Sequence, residues 1–157
     1  MPNTFFILPF HKLASLYTFD QDDLVIMGMP VYAGRIPQTV IPFLNRIKGH
    51  GTPAVPVVVY GNRDYDDALL ELSDLMTDAG FKPVAAGAFI GEHSYSRDDA
   101  PIAVDRPDHA DLEKAREFGR RISTMFDGEP ENSISKEPEI PGNKPYKERL
   151  QFPPVNI

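Results

Sequence analysis

Two short stretches of this chain combine tyrosine, glycine and arginine directly after apolar runs. The first is Met29-Pro30-Val31-Tyr32-Ala33-Gly34-Arg35-Ile36-Pro37, which follows Leu24 to Met27. The second is Tyr60-Gly61-Asn62-Arg63-Asp64-Tyr65, which follows Val57-Val58-Val59. Each stands where a strand would give way to a helix. In an open parallel sheet such turns line the crevice at the carboxyl ends of the strands, where ligands bind. Tyr32, Tyr60 and Tyr65 offer ring faces, and aromatic pairs gain about 0.5–1.5 kcal/mol beyond their buried area. Gly34 and Gly61 let the backbone approach a ring edge closely. Arg35 and Arg63 offer positive charge to a reduced ring. Side by side, the two turns suit a flat aromatic ligand such as a flavin. A plainer reading uses the same residues. The tyrosines then pack as lids over the sheet edge, Gly61-Asn62 serves turn geometry, and the arginines pair with Asp64 or Asp66.

The elements that must position these turns are legible as periodicities. Leu24–Met29 is a short continuous apolar run behind the acidic turn Asp20-Gln21-Asp22-Asp23, the pattern of a buried parallel strand. Val40, Ile41, Leu44 and Ile47 follow with helical spacing, stopped by Gly49 and Gly51. Pro42 fits only in the first turn, so this helix should start near Gln38–Ile41. Val57–Tyr60 is the next strand, with Pro56 as its first residue. Asp66 or Asp67 should cap the helix that follows, whose stripe is Ala68, Leu72, Leu75, Met76 and Ala79 and which Gly80 ends. Val84–Ile90 reads as a third strand. Asp108 should cap a last helix with the stripe Leu112, Ala115, Gly119, Ile122 and Phe126. Acidic residues near its start (Asp111, Glu113) and arginines near its end (Arg120, Arg121) suit the helix dipole. Strand and helix alternate three times, which predicts an α/β sandwich on a parallel sheet with helices on its faces. Residues 1–127 form this domain, with one further strand candidate at Thr4–Leu8. Residues 128–157, rich in Pro, Glu and Lys, read as a tail or linker with little regular structure.

Composition narrows the chemistry. The 157 residues contain no cysteine, which excludes disulfides, thiol catalysis, zinc–thiolate sites and iron–sulfur clusters held by this chain. The formal net charge of −7 argues against non-specific nucleic-acid binding; it suits an encounter with a basic partner, and the plainer reading is that it only keeps the protein soluble. No apolar run reaches membrane-span length, and the first residues lack the flanks of a signal peptide, so the expected compartment is the cytoplasm. Glu92-His93-Ser94 invites a hydrolase reading, but neighbours on an extended strand point to opposite faces and no Gly-x-Ser-x-Gly elbow exists. His93 and His109 lack the spacing of a metal pair. The stretch from Gly91 to Pro107 is long for a loop in a compact domain, and such loops often cover a ligand or meet a partner.

The segments Asp23–Pro37 and Val59–Leu72, followed by Gly87–Ser94 and Arg106-Pro107-Asp108, resemble the flavodoxin-like family. More narrowly, they resemble the flavodoxin-like half of proteins that continue into a ferredoxin-type iron–sulfur domain. The resemblance covers roughly Phe19 to Phe126 in order. It implies a five-stranded parallel sheet of order 2-1-3-4-5, with Leu24–Met29 third, Val57–Tyr60 fourth and Val84–Ile90 fifth. It also implies FMN at the carboxyl edge, with Pro30, Val31, Tyr32, Ala33, Gly34 and Arg35 in one ring loop and Tyr60, Gly61, Asn62, Arg63 and Tyr65 in the other. The implied function is electron transfer to or from a ferredoxin-type or other redox protein, with no side chain acting as acid or base.

The chain departs from the family at its start. The family opens with a strand and a Ser/Thr-Gly-Thr loop that holds the FMN phosphate at a helix N-terminus. Here Thr4–Leu8 is followed by Pro9-Phe10-His11-Lys12. The first βα unit is thus expected to be missing, with FMN affinity weakened or lost. Either Thr4–Leu8 then lies beside Leu24–Met29, or that strand keeps an open edge that invites another copy or chain. Pro141-Gly142-Asn143-Lys144-Pro145-Tyr146 would be the remnant of the junction to a cluster domain. The alternative function is a binding or assembly module that kept the scaffold and lost the flavin. A weaker third reading is a flavin-dependent reductase of a small substrate.

Overall fold

The structure is a computed structural model and describes residues 16–127 and 138–150. Its elements run β1 (Tyr17–Phe19), β2 (Val25–Pro30), α1 (Ile41–Leu44), β3 (Ile47–Gly49), β4 (Thr52–Tyr60), α2 (Ala68–Asp78), β5 (Phe81–Pro83), β6 (Gly87–Ile90) and α3 (His109–Asp127). All strand pairs are parallel. β4 is flanked by β2 on one side and by β5 and then β6 on the other. The short β1 pairs with β3, and Thr52 Oγ1 ties β1 to β4 by donating to the Phe19 carbonyl at 2.7 Å.

The two faces of the sheet carry separate cores. Met27 and Met29 of β2 and Ala54 and Val58 of β4 pack under α1 and α2 against Leu44, Leu69, Leu72 and Met76. Val55 packs on the opposite face with Val84 and Ile122 of α3. Phe89 and Phe118 meet edge to face at 5.4 Å and fasten α3 to β6. Helices on both sides of a parallel sheet make an α/β sandwich, the architecture expected from the alternating periodicity. The parallel order β2, β4 and then β5 and β6 is one that many α/β sandwiches share, the flavodoxin-like sheet among them. The strand candidate Thr4–Leu8 lies outside the described residues.

Several boundaries differ from the sequence reading, each for a physical reason. The first helix is one α-turn behind a 3-10 turn (Gln38–Val40), and Ile47 belongs to β3. Pro42 does sit in the first turn. Ile47 is buried either way, so its apolar character did not distinguish helix from strand.

β4 begins at Thr52 and carries Pro53 and Pro56 inside a central strand. The carbonyls of Ala54 and Tyr60 accept from Val84 and Gly91, so even-numbered residues of β4 face β5 and β6. Pro56, with no N–H to give, therefore faces the break between Pro83 and Gly87. There the register slips by one residue, from Ala54 opposite Pro83 to Val57 opposite Gly87. The bulge removes the demand for a donor where proline has none. The same break splits the expected strand Val84–Ile90 into β5 and β6.

In α3, Phe118, Ile122, Met125 and Phe126 face the core, while Leu112 and Gly119 are exposed. The helix runs on to Asp127, so Arg120 and Arg121 fall short of its last turn.

Candidate functional site

The turn after β2 is a tight hairpin. Tyr32 and Arg35 exchange backbone hydrogen bonds of 2.8 and 3.1 Å around Ala33 (φ +52) and Gly34 (φ +82). Positive φ at both central residues is type I′ geometry, which favours Gly or Asn. Ala33 holds the left-handed conformation at a cost of about 1–2 kcal/mol. The turn after β4 has Asn62 in the same region (φ +56). Asp64 accepts from the Asp66 N–H, and Asp66 itself has φ +41.

The two turns touch. The Asp67 N–H donates to the Gly34 carbonyl at 3.1 Å, and the Val31 N–H to the Val59 carbonyl at 3.0 Å. Both turns leave the carboxyl ends of adjacent strands. A third segment joins them, because the Gly91 N–H donates to the Tyr60 carbonyl at 2.9 Å. The long loop from Gly91 then folds over Gly61, where an added Cβ would lie 2.6 Å from His93 Cδ2.

The predicted residues take distinct places. Tyr32 is 61% exposed on the rim. Tyr60 and Tyr65 meet edge to face at 5.3 Å, so each covers part of the other. Asn62 and Arg63 are exposed, Pro30 and Ala33 are exposed, and Val31 and Gly61 are half-buried. Gly34 and Arg35 are buried. Arg35 pairs with neither Asp64 nor Asp66. Its Nε and Nη2 donate to the Glu71 carboxylate at 2.8 and 2.9 Å, and its Nη1 donates to the Lys147 carbonyl.

The sequence reading assigned no site role to the side chains of two sets of residues that the structure brings here, although it singled out the loop of the first as one that often covers a ligand. One is His93 and Tyr95, ring centroids 5.6 Å apart, with Tyr95 72% exposed. The length of their loop was the available signal. The other is the segment 138–150, which has neither helix nor strand yet returns to the first turn. Arg149 donates to Glu71 and to the Ile36 carbonyl. Tyr146 stacks under the Arg35 guanidinium at 4.6 Å and donates its hydroxyl to Asp74. The Lys147 ammonium pairs with Asp66 at 2.7 Å. Pro141–Tyr146, read as a junction remnant, is therefore packed against α2.

Asp67 stands at the N-cap position of α2, but its side chain makes no cap. It accepts instead from the backbone N–H groups of Lys147 and Asn143. The Lys147 bond, then those from Asn143, hold its carboxyl below the ordinary 3.8. A depressed folded value means that this tie is complete above the ordinary carboxylate range and is lost as pH falls through the folded value. Acid should therefore release the segment. The protection of the Asn143 and Lys147 amides, their exchange compared with the intrinsic rate at each pH, should be kept through the usual carboxylate range and fall only below it, and Asp67→Asn should flatten that response. Protection that stays unchanged as the carboxylates are titrated would contradict the tie.

The start of α3 is closed by carboxylates as predicted. Asp108 accepts from the Asp111 N–H at 2.9 Å and Asp111 from the Asp108 N–H at 3.0 Å, a reciprocal capping box. The Arg106 guanidinium also binds Asp111 and holds its carboxyl down to about 2. Among the described residues no group of His, Asp and Glu could hold a metal ion. No helix of the described residues is long and apolar enough to cross a membrane. No protein-family model matches this chain, and no curated protein matches it.

Proposed function

We propose that the two turns together seat the planar ring of a flavin and that the chain serves as a flavodoxin-like electron-transfer domain of the cytoplasm. The observation that carries this is the Asp67 N–H to Gly34 carbonyl bond, which fastens the turns together at one end of the sheet. Tyr32 stands exposed on the rim. A bound flavin supplies one- or two-electron shuttling, and the protein's part is orientation and electrostatics. The electron donor or acceptor is a ferredoxin-type or other redox protein, and the net charge of −7 suits a basic one.

On this reading Tyr32 on the rim supports contact with the ring of FMN, and the carboxylates around the turns speak against a seat for its phosphate. Of the helices that start at this end of the sheet, α2 and α3 are headed by Asp64, Asp66 and Asp67 and by Asp108 and Asp111. A phosphate dianion there meets like charge. Recognition should rest on the ring, so riboflavin and FMN should bind within about threefold of each other, as expected where no charge-assisted phosphate contact of about 1.5–3 kcal/mol is gained. Fluorescence-quenching titrations measure both. Tyr32→Ala should weaken each by about two- to tenfold, the equivalent of one aromatic contact. A colourless protein indifferent to both flavins at millimolar concentration would remove the reading. FMN binding a hundredfold tighter than riboflavin would show that a phosphate seat exists.

A binding or assembly module is the second reading. It is favoured by one observation, that among the described residues the outer edge of β2 pairs with no other strand.

A further inference from the structure

We infer that residues 138–150 form a strap that clamps the two turns together, with Lys147 as its positioning residue. Lys147 commits each of its polar groups to a different residue. Its N–H donates to Asp67 Oδ2 at 2.5 Å, its carbonyl accepts from Arg35 Nη1 at 2.5 Å, and its ammonium pairs with Asp66 at 2.7 Å. Arg35 ends the first turn, and Asp66 and Asp67 join the second to α2. The other described strap residues reach one side only. Tyr146 meets Arg35 and Asp74, Arg149 meets Ile36 and Glu71, and Asn143 meets Asp67.

The bonds of Lys147 close a cycle. The Gly34 carbonyl accepts from the Asp67 N–H, the Asp67 carboxylate from the Lys147 N–H, and the Lys147 carbonyl from Arg35, the covalent neighbour of Gly34. Parting Gly34 from Asp67 therefore also strains or breaks the links through Lys147.

The turns have reason to need a clamp. Ala33, Asn62 and Asp66 all hold positive φ, a strain that persists only where the surroundings over-determine it. Asp64, Asp66 and Asp67 put three carboxyl groups within four residues. The Lys147 ammonium and the N–H groups of Lys147 and Asn143 offset that charge where the turns approach most closely, at Gly34 and Asp66.

The strap is also the piece best able to let go. It has neither helix nor strand, most of its residues are exposed, and Ile140 is its apolar anchor on the core. Segments with few buried apolar contacts open at a lower free energy than the sheet they lie on. The consequence for ligand rests on the flavin reading above. A ring that needs the turns in contact binds better while the strap is docked, and by linkage the ring strengthens docking by the same factor.

The test uses the full chain, amide exchange and riboflavin quenching. Lys147→Pro, at an exposed position, deletes the N–H that Asp67 accepts, whereas Lys147→Met deletes only the ion pair with Asp66. The Asp67 amide reports both parting of the turns and its own uncovering. The Val31 amide, bonded to the Val59 carbonyl, reports parting alone. Without flavin, Lys147→Pro should speed both amides about tenfold or more, the effect of losing one hydrogen bond to a charged group. Lys147→Met should keep both within about threefold of the parent, as expected for an exposed ion pair. Asp67→Ala cuts the same link from the other side, so adding it to Lys147→Pro should change the Val31 rate by less than about twofold. Faster exchange at Asp67 alone overturns the proposal, because the strap then only covers that residue. Unchanged exchange at both, or Lys147→Met as fast as Lys147→Pro, also overturns it. With flavin, Lys147→Pro should weaken riboflavin binding about tenfold, and saturating riboflavin should slow the Asn143 amide of the parent by the same factor. Equal affinity in the parent and Lys147→Pro overturns the coupling. A parent that binds no riboflavin removes the flavin reading instead, and the exchange rates then decide the clamp by themselves.

Discussion

Glu71→Ala should lower the unfolding free energy by about 3–5 kcal/mol, the usual loss when a buried ion pair is broken from one side. The Glu71 carboxylate accepts from Arg35 Nε and Nη2, from the Ile36 N–H at 3.2 Å and from Arg149. Its side chain is almost fully enclosed, and so is that of Arg35. Removing it leaves the buried guanidinium without its counter-charge and the Ile36 N–H without an acceptor. Glu71→Gln keeps the volume but puts an amide donor against arginine donors, so it should recover only part of the loss. Arg149→Met should cost far less, because Arg149 is partly exposed and Arg35 keeps Glu71. Urea denaturation of the variants measures the order. A loss under about 1 kcal/mol for Glu71→Ala would mean that the network is not closed in solution, relative to the range for buried pairs.

That network marks where reading the sequence stopped. Hydrophobic period and turn chemistry act locally, so β2, α2, the Gly80 stop and the Asp108 cap were all visible in the chain. So was the joint position of the two turns, because parallel strands linked by right-handed crossovers send successive turns to one end of the sheet. The contacts of Arg35 with Glu71, Lys147 and Tyr146 span separations of 36 residues and more. Once the two turns are set side by side, Asp64 and Asp66 look as good a partner for Arg35 as Glu71 does, and nothing in the spacing singles out the glutamate one helical turn beyond Asp67. The segment 138–150 was hidden for the same reason. Its proline and charge content matches a solvated linker, yet its docking rests on backbone N–H groups that donate to Asp67, and composition does not record those. Pro56 misled in the opposite direction, because a one-residue bulge at Val84–Ala86 makes room for a proline that an unbroken ladder would reject.

Gly34→Ala should cost about 2–5 kcal/mol and separate the two turns, the sum of about 1–2 for a left-handed alanine and about 1–3 for overpacking. Gly34 has φ +82, and an added Cβ would lie 2.1 Å from Asp66 Oδ2 and 2.7 Å from Asp66 Cβ. The Asp66 Cβ is fixed to the backbone, and its carboxylate is held by Lys147. Rotating the side chain therefore does not relieve the clash. Relief requires the Gly34 carbonyl to leave the Asp67 N–H, which parts the two turns. The neighbouring change should go the other way. Ala33→Gly removes the left-handed strain of about 1–2 kcal/mol, while glycine's extra freedom in the unfolded chain returns about 0.4–1. A net gain approaching 1 kcal/mol is the expectation. Denaturation curves for both variants, with riboflavin quenching as the second readout, separate strain from function. If the turn matters to ligand only as scaffold, Ala33→Gly keeps full binding and Gly34→Ala loses it. If both variants bind as well as the parent, the ring does not lie between these turns.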